Sequence, residues 1–335
     1  MPSLNRKLLF ALVPACVLGV LVFIALEIAR SPSGPSLPNP NGYDDFVKAG
    51  RAVEGDASTF ADLELGALRT AILTNAEPLR LLALGLTRQC SFPTDMGVTN
   101  SDLAFGDLSK LKRLAQLLCA EGRLAAMEGR PIDAARAYIE VMRLGNEISR
   151  GGLVINRLVG IACEAIGSGS LAKLAPALGS EPVGPLLGQL EELDARRVSF
   201  EEIRRNESRF VRHELFKERN PLKWITGWWE ARAIIAQSET RHKVVIAHER
   251  LLATEIALRS YRSRTTQPPT RLADLSTNYL SKVPMDPFSE GTLVYCARGT
   301  NWLLYSVGPD GIDDGGKPIA RGLKSKGDVF FDSPW

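Results

Sequence analysis

The stretch "LYSVGPDGIDDGG", residues 304–316, places Ser306, Asp310, Asp313 and Asp314 among Gly308, Gly311, Gly315 and Gly316, and Asp328 follows closely. Carboxylates this close repel, and glycines raise the entropy lost when a loop becomes ordered. A bound cation, a tight turn or a mobile loop each accounts for the pattern. Calcium takes about six to eight oxygens at ~2.3–2.6 Å from carboxylates, carbonyls and water. Asp310, Asp313, Asp314 and Asp328, with Ser306 and backbone carbonyls turned inward at the glycines, supply those donor types. The spacing is not that of an EF-hand, since counting from Asp310 puts Ile312 third and Arg321 twelfth. Lys317, Arg321, Lys324 and Lys326 offer a metal-free alternative in which basic side chains and water neutralise the acids.

Other constellations with chemical potential are weak. The histidines are His213, His242 and His248, and the pair His248-Glu249 lacks the second histidine of an HExxH zinc site. No nucleophile elbow, Walker loop or dinucleotide fingerprint occurs. The glycines of "GIACEAIGSGS" follow a helix pattern, not a strand, so they read as helix-packing residues and not as a phosphate cradle. Glu191-Glu192 and Glu201-Glu202 read as solvated helix surface. The expectation is that the protein is not an enzyme and that its catalytic and cofactor-binding residues are none. Cys90, Cys119, Cys163 and Cys296 have no disulfide-framework spacing and no CxxC, so they read as buried free thiols.

The elements around these residues follow from hydropathy. Hydrophobic residues make up 45% of the chain and charged residues 24%, an ordinary globular balance. A net charge of +3 with no basic-aromatic block excludes a nucleic-acid footprint. Residues 8–26, "LLFALVPACVLGVLVFIAL", carry no charge and follow Arg6 and Lys7. At about 1.5 Å per helical residue this run just spans a hydrocarbon core about 30 Å thick. The reading is an N-terminal transmembrane anchor over 1–30, with the N-terminus cytoplasmic and the bulk of the chain periplasmic, in a single-pass inner-membrane protein. A cleaved signal or a lipoprotein site at Cys16 are the alternatives. Residues 31–42, rich in Pro, Ser and Gly, read as a linker.

Residues 43–240 show helical periodicity nearly throughout and read as a helical bundle domain. Within 108–148, Gly129-Arg130-Pro131 divides two helices into a hairpin that resembles a single tetratricopeptide unit. Residues 186–219 read as one charged helix with a thin apolar stripe, and Trp224, Trp228 and Trp229 as core or surface contacts. A long helix from about Glu230 to Arg262 carries a narrow seam of Val244, Ala247, Leu251, Thr254, Leu258 and Tyr261. After it, "GTLVYCAR", "NWLLYSV" and "DVFF" read as three short strands.

The stretch from Arg241 to Asp332 resembles the C-terminal domain of the type II secretion major pseudopilins of the G type. The features that carry the resemblance are "ALRSYR", "PPTRLADL", "YLSKVPMDPF", "LVY", "WLLYSVGPDGIDDGG" and "GDV". It implies a calcium-stabilised late loop, with Ser306, Asp310 and Asp328 at matching positions. Lys326 stands where the family has another acid, which Asp313 or Asp314 would have to replace. The prepilin-peptidase signal is absent, since Lys7 precedes Leu8 and Glu27 lies at the far end of the apolar run. The expected fold is therefore mainly α: a membrane-anchored helical ectodomain followed, over 241–335, by a small α+β head with a long helix and a three-stranded antiparallel sheet. The expected role is non-enzymatic, with protein partners that are secretion-system components. The alternative is an envelope binding scaffold whose head serves only as a folding cap.

Overall fold

The structure, a computed structural model, describes residues 36–93, 101–217, 221–276, 278–319 and 326–333, with side chains described except at 101–105, 214–217 and 221–228. The anchor over 8–26 and residues 31–35 of the linker lie outside the described residues. Helix α1 (Gly42–Ala52) starts where Asn41 Oδ1 accepts the Tyr43 N–H at 3.1 Å, and the same amide donates to Ser91 O at 2.8 Å. Helices α2 (Leu65–Thr74) and α3 (Ala76–Leu86) meet at Asn75. Helix α4 (Ser101–Met127) turns at Gly129, whose φ of 74° suits glycine, into α5 (Pro131–Ser149), where Pro131 occupies a position needing no N–H partner.

Helix α6 (Val154–Leu174) is the central element and packs against α4 and α5. Val154–Leu178 is, among the described residues, the one helical stretch long and apolar enough to cross a membrane. Its contacts and the buried charges it carries, Arg157 and Glu164, account for that composition as core. The expected single helix over 186–219 is instead two, α7 (Gly184–Ala195) and α8 (Phe200–Lys217). The break has a physical cause: Asn146 of α5 accepts the Val198 N–H at 2.9 Å and donates to Arg196 O at 3.3 Å, drawing the connection inward.

Helix α9 (Pro221–Thr265) is 45 residues long. Its expected seam is present, but Leu252, Ala253, Ile256 and Ala257 are buried as well. One side of this stretch meets α6 and α7, and the other meets the C-terminal segment. The expected boundary near residue 240 therefore falls inside a continuous helix, and residues on both sides of it share one hydrophobic cluster.

The chain then forms an antiparallel hairpin of β1 (Val294–Arg298) and β2 (Asn301–Tyr305), with Val294 opposite Tyr305 and Arg298 opposite Asn301. The third expected strand, "DVFF", is not a full strand here. Val329 makes a single antiparallel bridge to Ser306, and Asp328 a parallel bridge to Pro318. Two neighbouring residues, each with one bridge to a different segment, tie this stretch to Ser306, just past β2, and to Pro318 without making a third strand.

Helices α5 and α6 approach so closely that a Cβ on Gly145 would lie 2.5 Å from Gly160 O, and one on Gly167 would lie 2.6 Å from Tyr138 O. Gly169, on the same helix, meets nothing within 4 Å. Gly160→Ala is expected to cost about 1–3 kcal/mol by overpacking, while Gly169→Ala should stabilise by about 0.5–1 kcal/mol through helix propensity. Urea midpoints of opposite sign for the two variants test this close approach, and equal shifts would refute it.

Candidate functional site

In the C-terminal loop most of the acids are engaged with nearby backbone. Asp328 is buried; its Oδ2 accepts the Gly316 N–H at 2.7 Å and its Oδ1 the Asp314 N–H at 3.3 Å. Burial, with Asp313 and Asp314 nearby, holds its carboxyl above the usual range despite those two donors. Asp313 accepts the Tyr305 hydroxyl and the Gly315 N–H, both at 2.8 Å, while burial and this carboxylate push the phenol up to about 12. Asp310 is exposed and caps the Ile312 N–H at 3.2 Å. Asp314 differs: its Oδ2 is enclosed and has no hydrogen-bond partner. Two glycines permit the close weave. Gly308 (φ 76°) would press a Cβ against Gly327 O at 2.5 Å, and Gly327 (φ 124°) would press one against Ile319 Cα at 2.8 Å.

Ser306 is turned away from this group. Its hydroxyl donates to Asp286 Oδ1 at 2.8 Å and accepts the Gly308 N–H at 3.3 Å. Asp286, buried, also accepts the Val307 N–H at 2.9 Å and the Phe288 N–H at 2.9 Å. Sequence reasoning did not place Asp286 among the site residues. The signal was in "PMDPF", where an acid between prolines marks a turn whose carboxylate must find donors. Thus Asp328 holds the backbone of the 314–316 turn, Asp313 holds Tyr305 and Gly315, and the hydroxyl of Ser306 and the carboxylate of Asp310 are bonded elsewhere. Among the described residues, no three Asp, Glu, His or Cys side chains form a group that could hold a metal ion.

A second constellation lies in the helical body. Arg157 of α6 grips Glu164, seven residues or about two helical turns further along, with Nη1 at 2.6 Å from Oε1 and Nη2 at 2.9 Å from Oε2. Both side chains are fully buried. Arg197, delivered by the inward α7–α8 connection, reaches Glu164 Oε2 at 3.4 Å and pairs directly with Glu249 of α9. Burial opposes the Arg197 charge, but Glu249, Glu164 and Asp194 outweigh it and raise its pKa. Arg157 Nε donates to His242 Nδ1 at 2.9 Å, and Phe200 lies against the imidazole. Burial first, then Arg157 and Arg197, lower the His242 pKa to about 2, so this imidazole is a neutral acceptor. Burial raises the Glu249 carboxyl pKa against the pull of Arg197, and Glu249 Oε1 and Arg197 Nε have no hydrogen-bond partner. Base, acid and imidazole meet here as a structural lock.

Among the described residues, two surface depressions are of note. One, about 300 Å³, lies between α9 and the hairpin and is lined by Arg259, Trp302 and Phe331. There Arg262 stacks on the Trp302 ring at 4.8 Å while the indole donates to Glu255 at 2.8 Å. The other, about 740 Å³, is a groove between α3, α4 and α5. Its floor is apolar, with Leu79, Leu82 and Leu86 on one wall and Leu118 and Leu124 on the other. On the rim, Arg80 pairs with Glu77, Arg130 with Glu128 and Asp133, Arg136 with Asp133, and Arg143 with Glu140. Glu121 of α4, half-buried in the groove, has no hydrogen bond or ion pair among the described residues, and burial raises its pKa against the pull of Arg130.

Comparison with family models, curated proteins and solved structures returns no match to this chain.

The neutral His242 makes acid sensitivity predictable. The unfolded imidazole takes up a proton below about pH 6.5, whereas the folded one resists down to about 2. Its contribution is complete above the unfolded value and is lost as the pH falls. His242→Asn keeps an acceptor for Arg157 and removes the titration. The wild-type advantage over this variant should shrink by about 1–1.5 kcal/mol between about pH 7.5 and about pH 5.5, at ~1.4 kcal/mol per unit. Denaturant unfolding at both pH values measures it, and a constant difference would exclude the buried neutral imidazole.

Proposed function

We propose that this chain is a non-enzymatic, single-pass membrane-tethered interaction protein whose helical body offers a binding groove and whose pseudopilin-like head closes the fold. The groove carries this reading. It combines about 740 Å³ of concave space with an apolar floor and a ring of side chains already paired to one another. Such a shape suits the binding of another molecule. The acid, arginine and imidazole groups that resemble a catalytic set are sealed in the core and committed to each other. The tether rests on the uncharged run over 8–26. The partner is a component of secretion-like machinery on the strength of the pseudopilin resemblance, or another envelope protein if the head serves only as a cap.

A second reading concerns calcium, and a specific atom favours it. Asp314 Oδ2 is enclosed without a partner beside the buried Asp328. A divalent cation would satisfy that oxygen and offset the repulsion between the carboxylates. The residues fit in part: Asp314 would hold the ion with its unpartnered oxygen, while Asp313 and Asp328 already accept N–H or O–H groups, Ser306 and Asp310 are committed elsewhere, and among the described residues no three acids form a metal-holding group. The ion would supply no chemistry beyond pinning the 313–316 loop to Asp328.

Two measurements test these readings. A photo-crosslinking residue at Ala83, exposed in the groove, should give a discrete adduct in cells expressing the full chain. The same residue at Gly188, exposed on α7, should not, and Ala137→Arg should remove the Ala83 adduct. Identical adducts at both positions would refute the groove as the interaction surface, and the adduct's identity separates secretion components from other envelope proteins. For calcium, thermal unfolding of the full chain should shift upward with the ion, and Asp328→Asn should abolish the shift. An unresponsive wild-type protein would dismiss the ion.

A further inference from the structure

Resting on the groove as the interaction surface, the chemistry of its walls narrows what sits in it. All three walls are helices, whose backbone donors and acceptors are satisfied within themselves. The groove therefore offers no free N–H or C=O edge to pair with an extended chain. A strand laid there would leave its own backbone groups without partners against an apolar floor, which costs free energy. A helix brings its backbone already satisfied. Leu79, Leu82 and Leu86 recur three and four residues apart along α3, with Leu79 half-buried at the groove and Leu82 and Leu86 buried beneath it, a spacing that suits the side chains of another helix.

Charge selects further. The rim arginines are each engaged by an acid, and Arg143 also donates to Leu86 O at 2.7 Å. Each lining arginine therefore already has an acid beside it, whereas one lining acid has none. Glu121 is the opposite case: a half-buried carboxylate facing the groove that makes no hydrogen bond or ion pair among the described residues, with Arg130 acting on it only from a distance. An anion partly stripped of water is destabilised until a donor arrives, and a charge-assisted pair formed there would be shielded by the surrounding leucines.

We infer that the groove binds an amphipathic helical segment of a partner protein that carries one lysine or arginine, inserted toward Glu121, at the edge of its apolar face. Leucine-like side chains fill the space between α3 and α4, and the single cation sets register and orientation. Glu121 is the specificity-determining residue. A segment with a neutral or acidic residue at that position would bury an unpaired carboxylate and bind more weakly.

The test uses the full chain in detergent and a displayed pool of helix-forming peptides randomised at every position of one face. Three baits are compared: wild type, Glu121→Gln, and Ala83→Arg, which fills the groove from an exposed position and leaves the core untouched. The expected result is enrichment of lysine or arginine at one position on wild type, with a preference of about tenfold over glutamine in the resynthesised peptides. That preference should vanish on Glu121→Gln, and Ala83→Arg should retain no binders. Apolar enrichment without a basic position, alike on wild type and Glu121→Gln, would overturn the role of Glu121 and leave the groove as a binding surface. Peptides retained equally by wild type and Ala83→Arg would overturn both.

Discussion

The buried charge network of Arg157, Glu164, Arg197 and Glu249 is the constraint on which the arrangement of the body depends. Placing four charges in a dry interior carries a desolvation penalty of several kcal/mol per ion, recovered only when every charge meets its opposite in good geometry. The observed arrangement meets that requirement fully for Arg157 and Glu164 and in part for Arg197 and Glu249. Arg157 and Glu164 fix the face that α6 turns inward, Asn146 of α5 holds the connection carrying Arg197, and Glu249 sets the lengthwise position of α9. A slip of one turn in α9 would strand a glutamate and an arginine among leucines. Apolar packing alone would tolerate such a slip far better, so the ions contribute uniqueness where the leucines contribute burial.

Close packing and the network reinforce one another. Gly145 and Gly160 bring α5 and α6 near enough for Ser149, on α5, to reach Arg157 at 3.3 Å. On the far side of α5, the same helix lends Arg143 and Glu140 to the groove rim. The rigid core face and the open outer face of one helix thus have different duties. The first demands small residues and exact complements. The second leaves space and a single unsatisfied acid.

Much of the helical architecture was legible, because period and punctuation are local. The Gly129-Arg130-Pro131 turn and the seam on α9 follow from residues adjacent in sequence. The division of 186–219 into two helices was not legible, since Arg196 and Arg197 look equally solvated and only the second turns inward. Its partners Glu164 and Glu249 lie 33 and 52 residues away, and nothing local distinguishes them from surface glutamates. In the C-terminal loop the acids stood out, but their partners are backbone N–H groups that every sequence contains. Asp286 was hidden because its attachment to Ser306 crosses 20 residues. The groove needed three helices to be placed before its one lone carboxylate could be noticed.

Helix α9 runs unbroken for 45 residues and serves two masters. Its middle turns are covered by the body on one flank and by the hairpin segment on the other, with Arg250 donating to Met285 O at 2.8 Å and Trp302 to Glu255. The head is consequently riveted to a beam, not strung on a thread. It cannot swivel as a bead would, and a piece excised from Arg241 onward would leave Leu252 and Ile256 bare to solvent on the side the body normally covers. Any transplant of this head to another protein must carry with it a substitute for that missing flank.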